Sequence, residues 1–162
     1  MNRFRTSLLV LGALMLFGFS ALALASQQEK KEKQRPKDAP TLDDSKGTLT
    51  ETTDGKENTK KLELKYSLKV KGYFDKDGFN IEEVEEGGPA AKLASSTGTE
   101  KYQLEKGDII TEVDGKALKS ADDYVKAINE ASDPMKLKIK VKDVKKGEER
   151  ELTAEAAKRE SA

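Results

Sequence analysis

The sequence predicts a small, mainly antiparallel β domain with one long helix and one short one, reached through a charged N-terminal stretch without structure of its own. Three observations predict it. Apolar and polar residues alternate over Leu62–Val70 and again over Leu137–Val141. Turn-forming Asp-Gly pairs stand at Asp77-Gly78 and Asp114-Gly115. A single stretch behind Ser120 switches to helical spacing.

The first 25 residues read as an export signal. Arg3 and Arg5 precede the apolar run Leu8–Phe17, and Ala23-Leu24-Ala25 offers a small-x-small cleavage site. The mature chain is therefore expected to start near Ser26, in the periplasm or outside the cell. An uncleaved anchor is the competing reading, and the run is short for a span. No Cys follows the cleavage site, so a lipid anchor has no support.

Residues 26–60 are expected to be a disordered charged linker. A basic stretch through Lys37 gives way to Thr, Asp, Lys and Gly, with Leu42 and Leu49 as the only large apolar residues. The domain is expected over 61–156. Leu62, Leu64, Tyr66, Leu68 and Val70 read as one strand with a buried face. Phe79, Ile81 and Val84 form the next, with an irregularity between Ile81 and Val84, and Ile109–Val113 the third. Ser120 with Asp123 has the form of a capping box, followed by Tyr124, Ala127, Ile128 and Ala131 on one helical face, with Val125 beside them. Asp133-Pro134 stops the helix. Leu137, Ile139 and Val141 then alternate with Lys136, Lys138, Lys140 and Lys142, a strand with its lysines in water. Lys146-Gly147 turns into a last strand, Arg150–Ala154. A short helix is expected near Ala90–Leu93, and residues 157–162 form a disordered tail.

Composition excludes much chemistry. The 162 residues carry 30 basic and 30 acidic side chains, so no net field draws the chain to nucleic acid or anionic lipid. Neither Cys nor His is present, which removes disulfides, thiolates and the commonest general base. Asp75, Asp77 and Glu82 lack calcium-loop spacing. Ser95 and Ser96 lie in an expected loop, a poor place for a nucleophile.

Three motifs in order are more specific: Gly87-Gly88-Pro89-Ala90-Ala91, then Leu104–Lys116 around Lys106-Gly107-Asp108, then Ser120–Ile128. Together they resemble the second half of a PDZ domain, in the form common in bacterial secreted proteins, over roughly residues 62–155. The resemblance implies a β-sandwich or partly open barrel of five to six strands. It also implies a binding module without catalytic groups or cofactor. A partner's C-terminus or extended segment would add as a strand between one sheet edge and the long helix, its carboxylate held by backbone N–H groups.

The family's loop has an apolar–Gly–apolar core, best matched here by Tyr66-Ser67-Leu68. On that alignment Ser67, Leu68 and Tyr66 hold the carboxylate and Lys69-Val70-Lys71-Gly72 pairs with the peptide. Ala121, Val125 and Ile128, with Leu68 and Val70, line the pocket for the last ligand side chain. Lys65 or Lys61 adds long-range attraction. Ser67 stands in place of the usual glycine, so strain is expected there if the position needs positive φ. Ala121 stands where many relatives place a polar residue reading the third-last ligand position. Asp108 is expected to be structural.

The resulting reading is an exported, monomeric peptide-binding adaptor, with no metal, no nucleic acid and no membrane after signal cleavage. The alternative is a structural cell-envelope protein that associates through its charged tether and lysine-rich sheet, its groove unused.

Overall fold

The computed structural model describes residues 34–95, 98 and 100–159. The expected signal peptide, residues 26–33 of the expected linker and residues 160–162 of the expected tail lie outside them. Strands β1 (Thr41–Asp43), β2 (Thr48–Thr53) and β3 (Lys56–Lys61) precede β4 (Tyr66–Ser67), β5 (Val70–Asp75) and β6 (Gly78–Val84). A 3-10 turn at Pro89–Ala91 leads to β7 (Leu93–Ser95), β8 (Lys101–Tyr102), β9 (Ile109–Val113) and β10 (Lys116–Ala117). Helix α1 (Ala121–Asn129) and a 3-10 turn at Pro134–Lys136 are followed by β11 (Leu137–Asp143), β12 (Glu148–Ala154) and β13 (Ala157–Lys158).

The main sheet runs β3-β2-β1-β5-β6-β9-β11-β12-β7-β8, with β10 on β9, and every pairing is antiparallel. A separate two-stranded ladder joins β13 to β4. Among the described residues the fold is thus mainly β with one α-helix, as the sequence predicts, but with more strands. The expected short helix is only a 3-10 turn of three residues, because Lys92, at φ −136° and ψ 49°, already leaves helical geometry.

The largest difference lies in the expected linker. Residues 41–61 form three strands, not a disordered tether. Leu42 and Leu49, the two large apolar residues there, are cross-strand partners and both are buried. Asp54 and Gly55, at φ 53° and 73°, make the two-residue turn from β2 to β3. The tether on which the envelope alternative relied is therefore structured from Thr41 onward.

The single strand expected over Leu62–Val70 is also corrected. Lys69 adopts φ 60° and interrupts it, leaving β4 before and β5 after. Residues 157 and 158 of the expected tail are the strand β13. The segment between Ala91 and Leu104 extends the sheet, since β7 pairs with both β8 and the edge of β12.

Several elements match their sequence signals. In α1, Ser120 Oγ accepts from the Asp123 N–H at 3.2 Å, and Asp123 Oδ2 reaches back to the Lys119 N–H at 3.2 Å. The β5–β6 register shifts where Lys71 faces Glu83 and Gly72 faces Ile81, the irregularity expected before Val84. Buried and outward positions alternate along β11. At the start of β9, Asp108 is buried and accepts from the Glu105 N–H at 3.0 Å, a structural role. In the core, the Phe74 and Phe79 rings stack at 4.7 Å across the β5–β6 hairpin, and the Tyr124 ring lies 5.3 Å from Phe79.

Candidate functional site

The site is built around one edge of β5 and the loop before it. Ser67 Oγ accepts from the Lys69 N–H at 2.9 Å, while the Leu68 and Lys69 carbonyls accept from Ala90 and Glu85 at 3.1 and 3.0 Å. These bonds, with the left-handed Lys69, turn the N–H groups of Leu68 and Lys69 toward one point, a nest suited to an anion. The Lys69 ammonium is 2.6 Å from Glu85 and not in the nest.

A carboxylate already sits there. Asp44 Oδ2 accepts from the Leu68 N–H at 2.6 Å and from the Lys69 N–H at 3.1 Å. The Tyr124 hydroxyl, from α1, donates to the same oxygen at 2.9 Å. Asp44 is fully buried, and its Oδ1 has no hydrogen-bond partner among the described residues. Burial pushes its carboxyl up to about 6, outweighing the hydrogen bonds from Tyr124, Leu68 and Lys69. Tyr124 is raised well above the usual phenol range, by burial first and by the Asp44 charge second.

The backbone leading to Asp44 lies along β5 as an added strand. Thr41 faces Tyr73, Leu42 faces Gly72 and Asp43 faces Lys71. The Asp44 N–H donates to the Val70 carbonyl at 3.0 Å, and the Phe74 N–H to the Pro40 carbonyl at 3.2 Å. Gly72 matters here because a Cβ would collide with the Asn80 backbone on β6.

The chain then turns. Asp43 Oδ1 accepts from the Ser45 hydroxyl at 2.7 Å and the Lys46 N–H at 3.1 Å, and Gly47 takes φ 62°. Arg159 closes over this turn, donating to the Lys46 carbonyl at 3.0 Å and the Asp44 carbonyl at 3.5 Å. On the far side, Asn129 at the end of α1 accepts from the Lys65 N–H and donates to the Glu63 carbonyl, both at 2.7 Å.

The internal Asp44 carboxylate rests on the N–H groups of Leu68 and Lys69, one of them in the Tyr66–Leu68 loop the sequence singled out and one just after it. The left-handed residue is Lys69, so the strain expected at Ser67 is absent. Tyr66 and Ser67 belong to β4 and pair with β13. The paired strand starts at Val70, not Lys69. On α1, Ala121 and Ile128 are buried and Val125 is partly buried against the same apolar cluster. Lys61 is exposed in β3.

Two residues of the site escaped the sequence reading, Asp44 and the hydroxyl of Tyr124. One signal for the first was present: Thr41-Leu42-Asp43 and Thr48-Leu49-Thr50 flank the turn-like Asp44-Ser45-Lys46-Gly47, and Asp54-Gly55 follows.

No curated protein matches the chain at a significant level. The family model of the PDZ domain matches residues 58–141, which reach from β3 into β11 and include the nest, β5 and α1. That match covers just over half the chain and agrees with the order of its loop, strands and helix: the chain belongs to the PDZ domain family.

Proposed function

We propose that this PDZ domain, a peptide-binding module by family, takes the C-terminus or an extended segment of another exported protein as a strand along Val70–Asp75. One observation carries the reading. The edge of β5 is paired by an antiparallel segment whose carboxylate rests on the N–H groups of Leu68 and Lys69. A ligand's terminal carboxylate presents the same chemistry, and β-strand addition uses the same main-chain bonds. The expected carboxylate loop (Tyr66, Ser67, Leu68), strand (Lys69, Val70) and helix residues (Ala121, Val125, Ile128) are the residues proposed to respond, together with Tyr124.

Export is part of the proposal, supported by Arg3, Arg5, the apolar run and Ala23-Leu24-Ala25. The protein then acts as an adaptor in the periplasm or outside the cell. Affinity in the micromolar range, about −8 kcal/mol, is expected for a groove of this size.

The test is an amide NMR titration of the protein with a panel of C-terminal peptides, each as free acid and as amide. Shifts over Leu68–Asp75 and α1 that vanish on amidation support a carboxylate-reading groove. Responses confined to other surfaces would refute it.

A further inference from the structure

We propose that Thr41–Asp44 is a removable occupant of the groove, displaced by the free C-terminus of another chain that carries an aliphatic residue in third-last place. This inference rests on the peptide-binding reading above and adds how the site is regulated and what it selects.

Asp44 performs both tasks of a terminal ligand residue. Its N–H completes the strand pairing at Val70, and its carboxylate fills the nest of Leu68 and Lys69. The fit is imperfect in one respect. Oδ1 is buried without a partner, and Arg159, the nearby cation, spends its hydrogen bonds on the main-chain carbonyls of Asp44 and Lys46. A buried anion left half-satisfied is costly.

The occupant is also short. Strand β1 has three residues, and it lies before the span matched by the family, residues 58–141. As a tethered segment it competes at an effective concentration on the order of millimolar. A free peptide with a better carboxylate can therefore replace it.

Selectivity follows from the occupant's own sequence. Leu42, two residues before Asp44, is fully buried and belongs to the same apolar cluster as Ala121, Leu68 and Val70. A displacing chain must refill that space, which calls for Leu, Ile or Val at the third-last position.

The test uses the whole chain and the octapeptide Lys-Asp-Ala-Pro-Thr-Leu-Asp-Val, as free acid and as amide. It repeats residues 37–44 with valine last. Two variants release the occupant differently. Asp44→Ala removes its carboxylate. Gly47→Ala strains the turn, where φ is 62° and a Cβ would run into the Arg159 guanidinium, and it leaves the groove lining untouched. Both variants should bind the free acid about tenfold more tightly or better, the inverse of the fraction of time the groove stands open. Wild-type Leu42 and Asp43 amides should move to exchange-exposed positions on saturation.

Equal affinity in all three proteins, or saturation with Leu42 and Asp43 unmoved, would overturn the removable occupant while leaving peptide binding intact. Loss of the packed Phe74 and Phe79 signals in both variants would also overturn it, because Thr41–Asp44 would then be a fixed part of the core. If no C-terminal peptide of the panel moves Val70–Asp75 in any of the three proteins, the underlying peptide-binding reading fails as well.

Discussion

The Asp44 carboxylate and the Tyr124 hydroxyl lie 2.9 Å apart inside the groove although 80 residues separate them in sequence. The bond ties the N-terminal hairpin to helix α1 and sets the polarity of the site, because Tyr124 donates where α1 otherwise presents apolar side chains.

Replacing Tyr124 by Phe removes that donor while keeping the ring against Phe79. At pH 8, where Asp44 is ionised, the loss should be about 2 kcal/mol, the worth of a hydrogen bond to a charged group. At pH 4 it should be about 1 kcal/mol. Urea unfolding at the two pH values checks both figures.

Burial raises the Asp44 carboxyl from 3.8 to about 6. The docked segment therefore holds a proton more tightly than the released one. Its contribution to docking is fully present below about pH 4 and is lost as pH rises through about 6, by roughly 3 kcal/mol in all. The facing groups are Tyr124 from α1, Ser67 and the Leu68 and Lys69 amides from the loop, Arg159 beyond β13, and Asp43 and Lys46 in the turn. Asp108 is also raised to about 6, by burial first, and titrates in the same window. The difference between wild type and Asp44→Asn isolates the Asp44 part. Carboxyl ¹³C shifts of Asp44 should show a midpoint near 6, and β1 amides should exchange faster at pH 8 than at pH 5.

Lys69 is left-handed at φ 60°. Lys69→Ile should lose about 1–2 kcal/mol, because a β-branched side chain tolerates that region poorly. Lys69→Gly should lose nothing beyond its half-exposed ion pair with Glu85, worth less than about 1 kcal/mol. Thermal melts of the two variants give the comparison.

Ser120 caps α1 through its bond to the Asp123 N–H. Ser120→Ala should cost about 1 kcal/mol. Since α1 carries Tyr124, β1 amides should also lose protection in hydrogen exchange.

What the sequence made legible was local. Strand β9, the start of α1 and the alternation of β11 follow from periodicity, a cap and turn residues within a few positions of one another. The three strands of residues 41–61 were hidden because they are built from Thr, Lys, Glu, Asn and Asp, with one Leu each in β1 and β2. Those two leucines are buried only because β1 has β5 to pair with. The flanking Thr-Leu segments marked a turn at Asp44, but not that its carboxylate meets the amides of Leu68 and Lys69, which lie 24 and 25 residues further on. Ser67 and Lys69 each lie between two apolar residues, and only backbone geometry shows that the left-handed one is Lys69.

Pairing β1 with β5 has a consequence for how copies of the protein meet. An uncovered Val70–Asp75 would offer neighbouring molecules a strand rich in apolar residues, a template for edge-to-edge aggregation. With the hairpin in place the outermost strand on that side is β3, Lys-Glu-Asn-Thr-Lys-Lys, exposed along its whole length. Charged lysines on such a border discourage further pairing. Colloidal solubility and groove occupancy are thus coupled: agents that free β5 without refilling it should promote self-association at high protein concentration.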